Sequence, residues 1–138
     1  MQENLSANGY YRNPDDLESY RLKSTFLASL NNEDGNEETA RIHKQRMLEL
    51  QGLLLIMFEM DETVFPKEGQ IFGELTPADK YGMREIIEME DTYFYRKDLL
   101  GIRELNESGR MSIVRLNYTH VIYRKDDVLT HFVPFLQI

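Results

Sequence analysis

Cysteine is absent from the 138 residues, which excludes disulfides, thiolate nucleophiles and Cys-ligated zinc while leaving the redox compartment open. Long apolar runs are absent as well: the longest, Leu53 to Phe58, is far short of the roughly 20 residues that span a bilayer. Positive charge is scarce, with 16 Lys and Arg against 24 Asp and Glu and a formal net charge of -8. Such a balance repels a phosphate backbone, and no basic cluster is interleaved with aromatics, so nucleic acid is excluded as a partner. His43, His120 and His131 stand at no metal-ligand spacing and no glycine-rich phosphate loop occurs, so no cofactor is expected. The opening stretch from Met1 to Pro14 has neither a basic leader nor an apolar segment, and the expectation is that any secretory leader of the gene lies upstream.

What is present fits one globular domain. Hydrophobic residues make up 41% and charged residues 29%, and a chain of this length can bury about 70% of its unfolded surface. Three N-glycosylation sequons begin at Asn4, Asn106 and Asn117, more than the about one that eight asparagines give by chance.

Asn13-Pro14-Asp15-Asp16 reads as a helix entrance, with an Asx cap, a proline in the first turn and carboxylates at the positive end of the dipole. Leu17, Tyr20, Leu27 and Leu30 continue at helical spacing until Asn31 to Gly35, and the acidic run through Glu38 reads as a solvated connector. Glu37 to Gln51 predicts a second helix, with Ala40, Met47, Leu48 and Leu50 for packing and His43 among surface Arg41, Lys44 and Arg46. Leu53 to Glu59 is apolar without alternation, the pattern of a parallel strand covered on both faces. The region 74–95 has no clear period, with Thr92 to Tyr95 as a short extended piece. Asp98 caps a helix carrying Leu99, Ile102 and Leu105 and closed by Gly109. Met111 to Leu116 is a second strand, and Asp126 to Leu136 a last helix with Val128, Leu129, Phe132 and Leu136 buried and Pro134 shortening it. The order implies α/β with a parallel pair and a right-handed crossover. Two strands are fewer than the four to six of a usual sheet, so the chain reads as the end of a larger fold.

Five segments, in order, carry a family resemblance over almost the whole length. They are Gln2-Glu3-x-Leu5 with Ala7-x-x-Tyr10-Tyr11 and Pro14; Tyr20-Arg21-x-x-Ser24-x-Phe26-Leu27-Ala28 with Asn31-x-Glu33-x-Gly35; Asp61-x-x-Val64-x-Pro66 with Phe72-Gly73; Asp98-x-Leu100-Gly101-Ile102 through Gly109; and His131-x-Val133-Pro134-Phe135-Leu136. The chain resembles the C-terminal portion of lysosomal-type palmitoyl-protein thioesterases, α/β-hydrolases that remove long-chain acyl groups from cysteine thioesters. The resemblance implies a single partial α/β-hydrolase domain over 1–138: a helical cap remainder over 1–51, then the last two parallel strands and flanking helices over 52–138, with an incomplete sheet.

It also implies a site. Such enzymes use a serine on a G-x-S-x-G elbow, a histidine that takes its proton and a carboxylate that orients the imidazole. No G-x-S-x-G occurs among the 138 residues. His120 occupies the base position, preceded by Tyr118-Thr119 where the family usually has Gly-Asp. The acid is expected directly before the loop proline, where this chain has Phe65. Asp61, Glu62 and Glu68 are the nearby carboxylates that could substitute, with Asp61 read as a loop cap. The resulting expectation is a thioesterase-like chain that is itself non-catalytic, with S-acylated proteins or fatty acyl chains as partners and a lysosomal or secretory setting. Two alternatives stand beside it: a portion of an active thioesterase whose other half carries the serine, and an acyl-binding or interaction module grooved along Asp15 to Leu50.

Overall fold

The apolar hexapeptide Leu53–Phe58 forms strand β1, and its partner is the other strand foreseen in the sequence. In the computed structural model, which describes residues 11–24 and 26–137, β1 pairs in parallel with Met111–Leu116. The register runs from Leu53 opposite Met111 to Phe58 opposite Leu116, so the two strands end in step. Glu59 N–H to Leu116 O (2.9 Å) and Met60 N–H to Tyr118 O (3.1 Å) carry the pairing one residue pair further. The loops that leave both strands therefore emerge side by side.

A parallel pair requires a crossover, and here it packs a core against the sheet. Helices α1 (Leu17–Lys23), α2 (Leu27–Leu30) and α3 (Glu37–Leu48) precede β1; a hairpin of β2 (Glu74–Leu75) with β3 (Ile86–Ile87), then α4 (Tyr93–Arg96) and α5 (Ile102–Glu107), lead to β4 (Met111–Leu116). Met89, Phe94, Tyr95, Leu100, Ile102, Leu105 and Met111 form the buried cluster, and Met47 and Leu48 of α3 pack onto it with Leu53 and Leu55 of β1. The protein is thus mixed α/β with a small parallel sheet.

Local chemistry explains most boundaries. Asp16 caps α1 by accepting the Ser19 N–H (3.0 Å), and Asn36 caps α3 through Thr39 N–H (3.1 Å). At the C-terminal end of α3, Arg110 Nη1 donates to the Leu48 (2.8 Å) and Leu50 (3.0 Å) carbonyls that would otherwise lack partners. Asp98 closes a second junction, accepting Lys44 Nζ (2.7 Å) with one oxygen and the Arg103 N–H (3.0 Å) with the other. Gly101 between them has φ +88°, and a Cβ there would lie 2.9 Å from Leu48 Cδ2. Gly101→Ala is expected to cost about 1–2 kcal/mol from the backbone alone, read as a lower urea midpoint.

Several expectations are revised. Leu17 to Leu30 is two helices: Ser24 Oγ accepts the Ala28 N–H (3.3 Å) and starts the second, leaving Tyr20 and Ala28 as its deeply buried members. Glu33, placed in a solvated connector, is buried because Arg12 and Tyr20 supply it with donors. Thr92 to Tyr95 is not extended; the Thr92 hydroxyl accepts the Tyr95 N–H (3.1 Å) and caps α4. His43 is half-buried rather than a free surface residue, with Nδ1 3.0 Å from Asn32 Oδ1. Asn32 Nδ2 donates to the Leu99 (2.8 Å) and Ala40 (3.1 Å) carbonyls, which turns its Oδ1 toward His43 as an acceptor. The last helical segment runs from Lys125 to Phe135 through a π turn at Val128–Phe132, with Pro134 in its final turn. Leu129 and Leu136, expected on its buried side, are exposed and Val128 and Phe132 are only partly buried, the π turn breaking the 3.6-residue spacing on which that stripe rests. Asn4 lies outside the described residues.

Candidate active site

The in-step ends of β1 and β4 deliver two chemically distinct side chains to one place. Asp61 follows the last residue of β1 by three positions, and its N–H bonds the Phe58 carbonyl (3.1 Å) to close a tight turn. His120 follows the last residue of β4 by four. Across the gap His120 Nδ1 lies 2.8 Å from Asp61 Oδ2. This is the crevice at the carboxyl ends of parallel strands, where open α/β sheets place their ligands.

The two partners sit in different surroundings. The Asp61 side chain has 0% accessibility, whereas the His120 side chain keeps 43%. Asp61 Oδ1 accepts the Thr63 (2.7 Å) and Val64 (3.1 Å) N–H groups, so one oxygen fixes the loop and the other faces the imidazole. Burial works to raise the Asp61 pKa, but the His120 hydrogen bond and the Val64 and Thr63 amides outweigh it and hold the carboxyl below its ordinary value. A carboxylate only accepts, so the Nδ1 of His120 carries the shared proton and Nε2 is left as a lone-pair acceptor. A neutral imidazole in that tautomer can take a proton from a hydroxyl presented at Nε2, with the carboxylate stabilising the cation that forms.

The carboxylate state has a measurable signature in stability. Since the folded pKa is depressed relative to an unfolded value near about 3.9, the contribution is complete above that pH and is lost as pH falls through the folded value. Urea midpoints taken from about pH 5 down to about pH 3 should fall more steeply for the native chain than for Asp61→Asn, the other carboxylates being common to both. Parallel curves would show that Asp61 does not titrate below its ordinary range.

A brace holds the loop between Asp61 and the next turn. Gln70 Oε1 accepts the Phe58 N–H at the end of β1 (3.3 Å), and Gln70 Nε2 donates to the Lys67 carbonyl (3.1 Å). Beyond the loop lies a cavity of about 340 Å³, within the size range of small-molecule sites. Val64, Phe65, Pro66, Phe72, Leu27 and Phe94 supply its apolar walls, and Arg12, Glu33 and Glu74 its polar end. Arg12 donates to Glu33 Oε1 through Nη2 (2.9 Å) and to Glu74 Oε2 through Nη1 (3.0 Å), so its charge is already compensated. The cavity draws on both the segment before α3 and the loop after β1, unlike the groove expected along Asp15 to Leu50 alone.

The residues read from the sequence fall as follows. His120 stands at the strand end as expected. Phe65, at the position where an acid was sought, is 78% exposed on the cavity rim. The carboxylate on His120 is Asp61, four residues earlier, which is at once a loop cap and the imidazole's partner. Glu62 is exposed, and Glu68 lies 3.9 Å from Lys67 Nζ. His131 belongs to the last helical segment, and among the described residues no group of three side chains could hold a metal. Asn106 lies on α5 and Asn117 on the loop between β4 and His120. The signal for Asp61 was available in the sequence: it stands nearly as far past its strand as His120 does past its own.

Comparison with known proteins gives a consistent picture. The family described as Palmitoyl protein thioesterase matches residues 1–120. Palmitoyl-protein thioesterase 1 of Caenorhabditis elegans is 32% identical over 121 residues, covering 88% of this chain and 39% of that protein. Palmitoyl-protein thioesterase 3 of Dictyostelium discoideum is 31% identical over 142 residues, covering 99% and 47%. Lysosomal thioesterase PPT2-B of Xenopus laevis is 35% identical over 111 residues, covering 79% and 36%. The chain spans less than half the length of each of these relatives.

Proposed function

Because this chain belongs to the palmitoyl-protein thioesterase family, we propose that it supplies the acid and base of a long-chain acyl thioester hydrolase of α/β-hydrolase type. His120 is the general base and Asp61 the carboxylate that orients it. The observation that carries this reading is the 2.8 Å bond between His120 Nδ1 and the buried Asp61 carboxylate, which leaves Nε2 free at the strand ends.

The chemistry then follows from the tautomer. A serine hydroxyl presented to His120 Nε2 loses its proton as its oxygen attacks the thioester carbonyl, and the imidazolium is stabilised by Asp61. Collapse of the tetrahedral species expels the thiol, which receives that proton, and a water activated by the same imidazole releases the fatty acid. No G-x-S-x-G occurs in the 138 residues, so the nucleophile and the amides that stabilise the oxyanion come from polypeptide beyond them. The apolar cavity walled by Val64, Pro66 and Phe72 adjoins the Asp61 loop and suits part of an acyl chain. S-acylated proteins are the substrate class. The lysosomal naming of the Xenopus laevis relative supports a lysosomal setting.

The test has two arms. The 138 residues alone should not turn over a fluorogenic palmitoyl thioester. Substituted for the matching portion of the Caenorhabditis elegans relative, they should support turnover that His120→Ala removes. Turnover by the isolated chain that survives His120→Ala, or a folded but inactive joined protein, would overturn the proposal.

A further inference from the structure

Two of the three sequons fall on described residues, and the fold treats them differently. A folded protein accommodates an N-glycan where the asparagine Nδ2 is clear of protein partners and the surface admits a bulky, hydrated substituent. Asn106 offers neither. It lies half-buried on α5, and its Nδ2 donates to Tyr95 Oη at 2.7 Å and to Glu90 Oε1 at 3.4 Å. Tyr95 belongs to the buried cluster, so a sugar on that nitrogen would pull α5 away from α4. The Ser108 hydroxyl of the same sequon is engaged as well, donating to the Leu105 carbonyl (3.1 Å) and accepting Arg110 Nε (3.0 Å).

Asn117 is the opposite case. It is exposed, as is Thr119, on the loop that follows the last residue of β4, and among the described residues no side-chain hydrogen bond holds its amide. The residue between them points elsewhere: the Tyr118 ring packs under Arg124 at 5.2 Å, while its carbonyl accepts the Met60 N–H. The loop is thereby anchored by Tyr118 and leaves Asn117 and Thr119 to solvent.

We propose that Asn117 is an N-glycan attachment site and that Asn106 is not, which places a glycan on the flank of the Asp61–His120 pair. In the transfer, Asn117 Nδ2 bonds to the anomeric carbon of a lipid-pyrophosphate-linked oligosaccharide. The lipid pyrophosphate leaves with the bonding electrons, and the amide proton passes to the transferase. The sugar stands three residues before His120 in the chain, so it makes one side of the base hydrophilic and sterically closed. The inference rests on the proposed secretory route, since the donor is met only there, but it is independent of hydrolysis.

The full chain, expressed behind a cleavable secretory leader in animal cells, is treated with peptide N-glycosidase in heavy-oxygen water, which converts each glycosylated asparagine to labelled aspartate. Peptide mapping is expected to find the label at Asn117 and none at Asn106. Asn117→Gln and Thr119→Val should each remove the same gel shift, two variants that guard against misfolding of either one. An unlabelled Asn117 in secreted protein, or equal labelling of Asn106, would overturn the proposal. A supplied leader forces entry, so this result reads the site alone. Localisation of the natural protein reads the route, and thioester turnover reads the catalytic proposal.

Discussion

Asp61→Ala should lower palmitoyl-thioester turnover by about 10⁴-fold in the protein that joins this chain to the missing part of its relative, while Phe65→Ala changes it only by a small factor. Without the carboxylate, nothing fixes the proton on His120 Nδ1, and a fraction of the imidazole presents the wrong nitrogen to the hydroxyl. The imidazolium also loses the charge that stabilises it. Asp61→Asn should be nearly as damaging, since an amide can donate to Nδ1 and favour the unproductive tautomer. Phe65 touches none of these atoms: it is 78% exposed and contributes only to the cavity rim. Steady-state kinetics decide the matter, with folding of each variant confirmed by circular dichroism. A joined protein in which Asp61→Ala keeps its rate while Phe65→Ala loses it would return the acid to another residue.

The second large effect concerns stability. Glu33→Ala is expected to cost about 3–5 kcal/mol, the range for removing one member of a buried ion pair. The Glu33 side chain has only 1% accessibility, and both of its oxygens are used: Oε1 by Arg12 Nη2 at 2.9 Å, and Oε2 by Arg12 Nε and Tyr20 Oη, each at 3.0 Å. Among the described residues Glu74 is the carboxylate Arg12 would keep, and its own pKa is raised chiefly by burial in spite of the arginine. Tyr20→Phe removes the donation to Glu33 (3.0 Å) and the longer bond accepted from Asn31 Nδ2 (3.4 Å), and should cost about 1 kcal/mol. Chemical denaturation of the three proteins measures both, and equal losses would mean that the ion pair adds nothing beyond the hydrogen bonds of the Tyr20 hydroxyl. The cluster closes one end of the apolar cavity, so its loss should also loosen the segment from Arg12 to Pro14.

Much of the architecture was legible in the chain because its signals are local. The unbroken apolar run Leu53–Phe58 and the run Met111–Leu116 are the two strands of the parallel sheet. Asp98 accepts the Arg103 N–H at the start of α5 near where the sequence places a cap, whereas the first helix begins later than the Asn13 entrance suggests, capped by Asp16. Two of the expectations that failed depended on a partner remote in sequence. Acidic surroundings suggested a solvated Glu33, but Arg12, 21 residues away, neutralises it. Basic neighbours suggested a surface His43, but Asn32, 11 residues away and itself held by Leu99, receives its ring nitrogen. The stripe on the last helix assumes 3.6 residues per turn, a spacing that the π turn at Val128–Phe132 interrupts, and Leu129 and Leu136 are exposed.

The candidate site divides along the same line. Sequence by itself determined the family, the two strands and the presence of a histidine just beyond the second, because these are matters of residue type and order. Only the tertiary structure decided which carboxylate meets that histidine. Parallel strands that end in step bring residues 59 positions apart to within 2.8 Å, and that distance depends on register, not on composition. A loop motif pointed to Phe65; the register selected Asp61, because the turn closed by its own backbone aims its carboxylate across the strand ends.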